Sequence, residues 1–329
     1  MPPHPLRPDG KPRRVGVEIE FAAEEPREIA GAVQQLYGGN VVKEDPHRFR
    51  VEASRLGTFK VELDTQLAHP DNKSLSGKPP LKVWIDHEVE QYVFSLIGDI
   101  SRVVVPYEVV TPPLPLDRLP DLDELVEALR RVGAEGTDEN LFYAFGVHFN
   151  PEAPALTAES ILAHLRAFLV LADWLVEELD TDLTRRVLPY IRSFPKDYAL
   201  KVLDPGYQPD LARLIDDYLE DNPTRNRGLD LLPLFMHLDA PRVLAATGEE
   251  KRSSPRPAFH YRLPDCRLND PEWSLAREWN YWVEVERLAA DSGRLDTLAR
   301  EFITHHSKLI SWNWSEKVSR WMKQEPAGP

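Results

Sequence analysis

Residues Arg14 to Phe21 read RVGVEIEF, and their alternation restricts the fold more tightly than any other stretch of the chain. In an extended strand successive side chains point to opposite faces, so Val15, Val17, Ile19 and Phe21 share one face and Gly16, Glu18 and Glu20 share the other. The first face has to be covered by a core. The second carries two carboxylates whose Cα atoms are about 6.5 to 7 Å apart on strand geometry, a spacing suited to holding two neighbouring divalent cations. Gly16 beside them leaves room for a ligand. Half-solvated antiparallel strands also carry glutamate on the wet face for no chemical reason, so the reading depends on whether other strands repeat the arrangement.

They do. Thr58 to Asp64 places Phe59, Val61 and Leu63 on one face and Thr58, Lys60, Glu62 and Asp64 on the other. Arg102 to Thr111 is a Val-rich strand carrying Glu108 and stopped by Pro112-Pro113. Tyr143 to Asn150 sets Tyr143, Phe145, Val147 and Phe149 against Ala144, Gly146, His148 and Asn150. Pro257 to Leu263 sets Phe259, Tyr261 and Leu263 against Ala258, His260 and Arg262. If these five strands form one antiparallel sheet with its apolar face on helices, the opposite face collects Glu18, Glu20, Lys60, Glu62, Asp64, Glu108, His148, His260 and Arg262. Oxygen-rich clusters with one or two imidazoles suit Mg²⁺ or Mn²⁺, and such clusters handle phosphate.

Helical periodicity predicts helices over 26–37, 81–100, 122–132, 158–179, 185–191, 209–220, 226–237, 270–291 and 294–310, and the segment 69–80 reads as a loop. The trio Trp279, Tyr281 and Trp282 is expected in the core, and His305-His306 in packing. The fold class is therefore α+β. Three parts are expected: a flexible Pro-rich basic arm over 1–14, a catalytic domain over 15–265 with a helical insertion at 157–250, and a helical extension over 266–329 packed on the same domain.

An anion site is expected from the arginines. Arg225 and Arg227 precede a helix, and Arg252, Arg256 and Arg262 bracket the last strand; guanidinium groups take phosphoryl oxygens in bidentate fashion. The chain as a whole is acidic, with a formal net charge of -14 over 329 residues, which disfavours nucleic acid and anionic membranes as partners. One cysteine, Cys266, excludes an internal disulfide framework and fits a reducing compartment. No stretch has the roughly 20 apolar residues that span a bilayer, so a soluble, cytoplasmic protein is expected. Phosphate-binding glycine loops, the G-x-S-x-G elbow and the H-E-x-x-H zinc signature are missing from the sequence.

The ordered set GVEIEF (Gly16 to Phe21), EVVTPPL (Glu108 to Leu114), GVHFN (Gly146 to Asn150), NPTRNRGLDLLPLF (Asn222 to Phe235) and RPAFHYR (Arg256 to Arg262) resembles the amidoligase family. That family is assigned to the glutamine synthetase and glutamate-cysteine ligase superfamily of ATP-dependent carboxylate-amine ligases. The resemblance implies a curved antiparallel sheet of glutamine synthetase catalytic-domain type, with helices on its outer face and with ATP and Mg²⁺ or Mn²⁺ on its concave face. It makes Glu18, Glu20 and Glu108 metal ligands, with His148 a metal or phosphate contact and Glu62 and His260 completing the candidate metal set. Arg256 and Arg262 would meet the transferred phosphate, and Asp64 would lie near the incoming amine. Lys60, Asn150, Arg225, Arg227 and Arg256 are the candidate nucleotide contacts.

The chain departs from the family pattern at one ligand. Where relatives have Glu-Phe-Arg, it has His260-Tyr261-Arg262, which exchanges a carboxylate for an imidazole and moves the preference toward Mn²⁺ or Zn²⁺. The resemblance implies amide-bond formation between small-molecule or peptide carboxylates and amines through an acyl phosphate. Two rivals stay open at this level: a phosphotransferase on the same scaffold, and a nucleotide-binding module without catalysis.

Overall fold

The computed structural model describes residues 1–23, 25–63, 106–137, 145–181, 191–248, 254–307 and 313–323. Asp64, Arg252, Tyr143 and Ala144, the loop expected over 69–80, the helix expected over 81–100, the first part of the Val-rich strand and most of the helix expected over 185–191 lie outside them.

The alternating N-terminal stretch forms β1 (Arg14–Phe21), with Val15, Val17, Ile19 and Phe21 all fully buried. Helix α1 (Pro26–Tyr37) follows; Pro26 opens its first turn, and Gly38, at φ 72°, closes it by donating its N–H to Gln34 O. Three consecutive antiparallel strands come next: β2 (Asn40–Asp45), β3 (Arg48–Ser54) and β4 (Gly57–Leu63). Only the third of these was expected. Strand β5 (Tyr107–Val110), the short β6 (Leu114–Pro115), a 3-10 segment Leu116–Leu122 and α2 (Asp123–Arg131) complete the first half.

In the second half β7 (Val147–Pro151) leads to α3 (Ala158–Glu178), whose N-cap Thr157 accepts from the Ser160 N–H. Then come α4 (Lys196–Leu203), α5 (Leu211–Asp221), β8 (Leu229–Asp230), α6 (Leu232–Thr247), β9 (His260–Tyr261), α7 (Leu275–Ala290), α8 (Ser292–His306) and α9 (Trp314–Lys323). The expected helix over 226–237 begins later, because Leu229–Asp230 pairs with His260–Tyr261. It also runs further, past a break at Asp239, where φ is -151° ahead of Pro241.

The nine strands among the described residues lie in one open sheet, in the order β2-β3-β4-β5-β1-β7-β9-β8, with β6 also on β1. Every pairing between named strands is antiparallel. Helices cover the apolar face. Tyr37 of α1 stacks on Phe59 of β4 at 5.1 Å, and Trp279 and Trp282 of α7 pack on Phe149, Phe259 and Tyr261 at 5.3 to 5.6 Å. Helix α3 is central to the C-terminal layer, and Trp314 of α9 donates its indole N–H to Val170 O at 2.8 Å. None of the described helices is long and apolar enough to cross a membrane.

The first fourteen residues, expected to be a flexible arm, are tied to the domain. The chain turns back on itself through Arg7 N–H to Lys11 O and Arg13 N–H to Pro5 O. Arg13 is fully buried and makes a bidentate pair with Glu286 of α7, at 2.7 Å on each arm. Basic composition suggested solvent, but a buried guanidinium with carboxylate and carbonyl partners is stable out of water.

Candidate functional site

β1 lies in the middle of the sheet, and its neighbours aim their polar residues at the same face. The register sets Glu18 opposite His148, Gly16 opposite Asn150, and Glu20 opposite Glu108, which is in turn opposite Glu62. Residues facing one another in antiparallel register share a face. Glu62, Glu108 and Glu20 thus form one row, and Glu18 and His148 belong to the next row along β1. Lys60 is exposed and opposite Val110, in Glu18's row but two strands away, about 10 Å at ordinary strand spacing.

Glu18 is the hub. Its Oε1 accepts from Asn150 Nδ2 and from Arg256 Nη1, each at 2.9 Å. Its Oε2 is 3.2 Å from His148 Nδ1 and 3.7 Å from His260 Nε2. Glu20 is buried; its Oε2 accepts from the Gly146 N–H at 2.6 Å, and its Oε1 is 3.3 Å from His148 Nε2. The two imidazoles meet edge to face at 5.1 Å. Behind them Asp230, fully buried, lies 3.2 Å from His260 Nδ1 and 3.6 Å from Arg225 Nε. Arg262 donates to the Arg225 carbonyl, which joins the last strand to the loop that carries Arg225.

Burial alone would discharge these acids, but their neighbours prevent it. For Glu18 desolvation is the largest influence and raises its pKa, yet the Arg256 charge and contacts from His148 and His260 together hold the carboxyl well below its usual range. Asp230 shows the same balance: desolvation is outweighed by His260, Arg225 and Arg262, and the carboxyl is lowered. His260 moves down to about 4, chiefly through burial. At neutral pH it is an uncharged imidazole.

A carboxylate only accepts, so the proton of His260 is on Nδ1, facing Asp230, and Nε2 offers a lone pair toward Glu18. Both His260 Nε2 and His148 Nε2 are buried and have no hydrogen-bond partner among the described residues. One oxygen of Glu18 and one nitrogen from each histidine lie within 4.8 Å of one another. Two imidazole nitrogens and a carboxylate oxygen at this spacing are a donor set suited to a divalent ion.

Of the residues expected at a site, Glu18, Glu20, Asn150, His148, Arg256 and His260 come together, and Glu108 and Glu62 continue the row from Glu20. Arg225 and Arg262 flank the far side through Asp230. Arg227 does not join them. Its guanidinium is buried, holds Asn222 Oδ1 at 2.8 Å and the carbonyls of Ser193 and Asp221, and lies over the Phe194 ring. It fastens the loop, a role that its charge in the sequence did not distinguish from ligand binding. Asp230 was missed: it sits within LDLLPLF, which reads as an apolar helix start, and its signal was an acid among leucines, which must have a partner once buried.

A family model described as "Putative amidoligase enzyme" matches residues 11–284. No curated protein and no solved structure matches the chain.

Proposed function

The chain belongs to the amidoligase family, and from that premise we propose that it joins a carboxylate to an amine in an ATP-dependent reaction at the polar face around Glu18. The observation that carries the reading is the meeting of Glu18, Glu20, His148 and His260, drawn from three strands far apart in the chain, with Arg256 bonded to Glu18 at 2.9 Å. An open antiparallel sheet with helices on one face and this cluster on the other is consistent with a catalytic domain of glutamine synthetase type.

Glu18, His148 and His260 would hold a divalent ion, with Glu20, Glu108 and Glu62 beside them for a second. Bound ATP would supply the phosphoryl group that activates the carboxylate as an acyl phosphate, and Mg²⁺ or Mn²⁺ would shield the phosphate charge. The remaining work falls to side chains. Arg256, partly exposed at the rim, is aimed by Glu18 and would take phosphoryl oxygens, with Arg262 and Arg225 adding positive potential from beyond Asp230. Lys60 and Asn150 would meet the nucleotide, and Asp64 the amine, whose leaving proton needs an acceptor. The substrates would be small molecules or peptides that bear a carboxylate and an amine.

ADP release by the purified protein, measured with a panel of amino acids and short peptides as carboxylate and amine, tests this. Turnover should require both partners, and hydroxylamine should replace the amine to give a hydroxamate. Glu18→Ala should lower turnover by at least about 100-fold, the scale set by loss of one well-placed electrostatic group. ADP formed with a carboxylate but no amine would favour a phosphotransferase, and full turnover by Glu18→Ala would sink the assignment.

A further inference from the structure

We propose that Glu18, His148 and His260 bind a first-row transition dication in preference to Mg²⁺, and that Asp230 is the positioning residue of that site. The inference rests on the metal-binding part of the ligase reading and goes beyond it by naming the class of ion the protein itself retains.

Two buried histidine nitrogens, His148 Nε2 and His260 Nε2, face carboxylates without a hydrogen-bond partner among the described residues. His260 Nε2, turned toward the cluster by the 3.2 Å contact of Nδ1 with Asp230, lies 3.7 Å from Glu18 Oε2. Both are acceptors. His148 faces carboxylates on both sides: Nδ1 lies 3.2 Å from Glu18 Oε2 and Nε2 lies 3.3 Å from Glu20 Oε1. A cation bound between Glu18 and the two rings, whose donor atoms lie within 4.8 Å of one another, would give such orphaned nitrogens a partner.

The donors select the ion. Mg²⁺ takes an octahedron of oxygens and keeps several waters, whereas two imidazoles and one carboxylate suit the transition dications, whose affinity for nitrogen rises along the first row. A buried carboxylate behind a ligating imidazole is the usual support for such an ion, because it fixes the tautomer and raises the basicity of the ligand nitrogen. Asp230 is fully buried, paired across β8 and β9 with His260 in the backbone register, and thereby held in that position. Any Mg²⁺ used with nucleotide would then be a separate ion.

The test uses full-length protein stripped with a chelator and dialysed against Co²⁺ and Mg²⁺ together, with bound metal counted by elemental analysis. One Co²⁺ should remain bound against a thousandfold excess of Mg²⁺, with visible ligand-field bands that mark nitrogen ligands. Asp230→Asn should weaken Co²⁺ binding by about 10- to 100-fold and move those bands, while a cooperative melt shows that the variant is folded. His260→Glu should lower the Co²⁺ over Mg²⁺ preference at least tenfold. Displacement of Co²⁺ by equimolar Mg²⁺ would overturn the proposal, as would a Co²⁺ spectrum unchanged in His148→Ala. A protein that binds Co²⁺ as described but forms no amide bond would leave this inference standing and remove the ligase reading.

Discussion

Gly16 separates the two demands on β1, which must hold the core with one face and leave space on the other. A Cβ built there would meet Asn150 Cβ at 3.8 Å and Asn150 Nδ2 at 4.0 Å, ordinary contact distances. Gly16→Ala should therefore fold as well as the parent, or slightly better, since glycine in a strand interior costs about 0.5 to 1 kcal/mol relative to alanine. The added methyl would stand beside the Asn150 amide that donates to Glu18 Oε1. The expected outcome is an unchanged or higher thermal midpoint with weakened binding of the nucleotide proposed for this face, read by calorimetric titration with ATP. A fall in stability without loss of binding would show that Gly16 serves the backbone and not the site. Residues of this kind were legible in advance, because period two alone puts Gly16, Glu18 and Glu20 on one face. Asp230 was not, because its role depends on a strand pairing of two residues with no periodicity to announce it.

Among the elements, the legible ones were those whose burial is one-sided and whose ends carry their own stop signals. Helix α1, between Pro26 and Gly38, has its expected bounds. Strands β2 and β3 were harder: β2 is an edge strand with no buried residue, so its side chains carry no apolar rhythm, and α4 spans only two turns. Composition misled at the N-terminus, where one arginine decides the outcome. Arg13 and Glu286 have no exposed side-chain surface. Arg13 also donates to the His4 and Glu152 carbonyls, and Trp282 Nε1 donates to Glu286 at 2.7 Å. Removing one charge strands the other in a dry site, which costs about 3 to 5 kcal/mol. Arg13→Met and Glu286→Gln should each lower stability by about that much in urea denaturation. The double variant Arg13→Met/Glu286→Leu should recover a large part, because no buried charge remains. Single variants within about 0.5 kcal/mol of the parent would mean that water reaches the pair.

At the scale of the whole molecule, two buried groups on opposite sides of the sheet pull the pH dependence of folding in opposite directions. His260, on the polar face, has an ordinary value near 6.5 and is pushed down to about 4 in the folded protein, chiefly by burial. Between those values the unfolded chain binds a proton that the native state refuses, so stability falls as pH falls from 6.5 to 4. Glu278, in the first turn of α7 on the apolar side, is pushed up from 4.5 to about 7, again chiefly by burial, with Asp265 adding to the rise and Arg277 and Arg267 opposing it. Here the native state keeps a proton that the unfolded chain has released, so stability falls as pH rises from 4.5 to 7. Across the shared window from 4.5 to 6.5 the slopes oppose each other, and the parent should show a shallow profile there. Glu278→Gln keeps the shape of the neutral acid and removes its titration, which leaves the slope of His260 together with that of buried His164, whose pKa burial also lowers and which acts in the same direction. Urea unfolding of the metal-free variant should then show stability dropping steadily below pH 6.5. At pH 8 the variant should exceed the parent by on the order of 2 to 3 kcal/mol, and the two curves should meet below pH 4.5. Superimposable profiles would mean that Glu278 is ionised in the folded protein at neutral pH, and that the charge around Asp265 and Arg267 is arranged to hold it so.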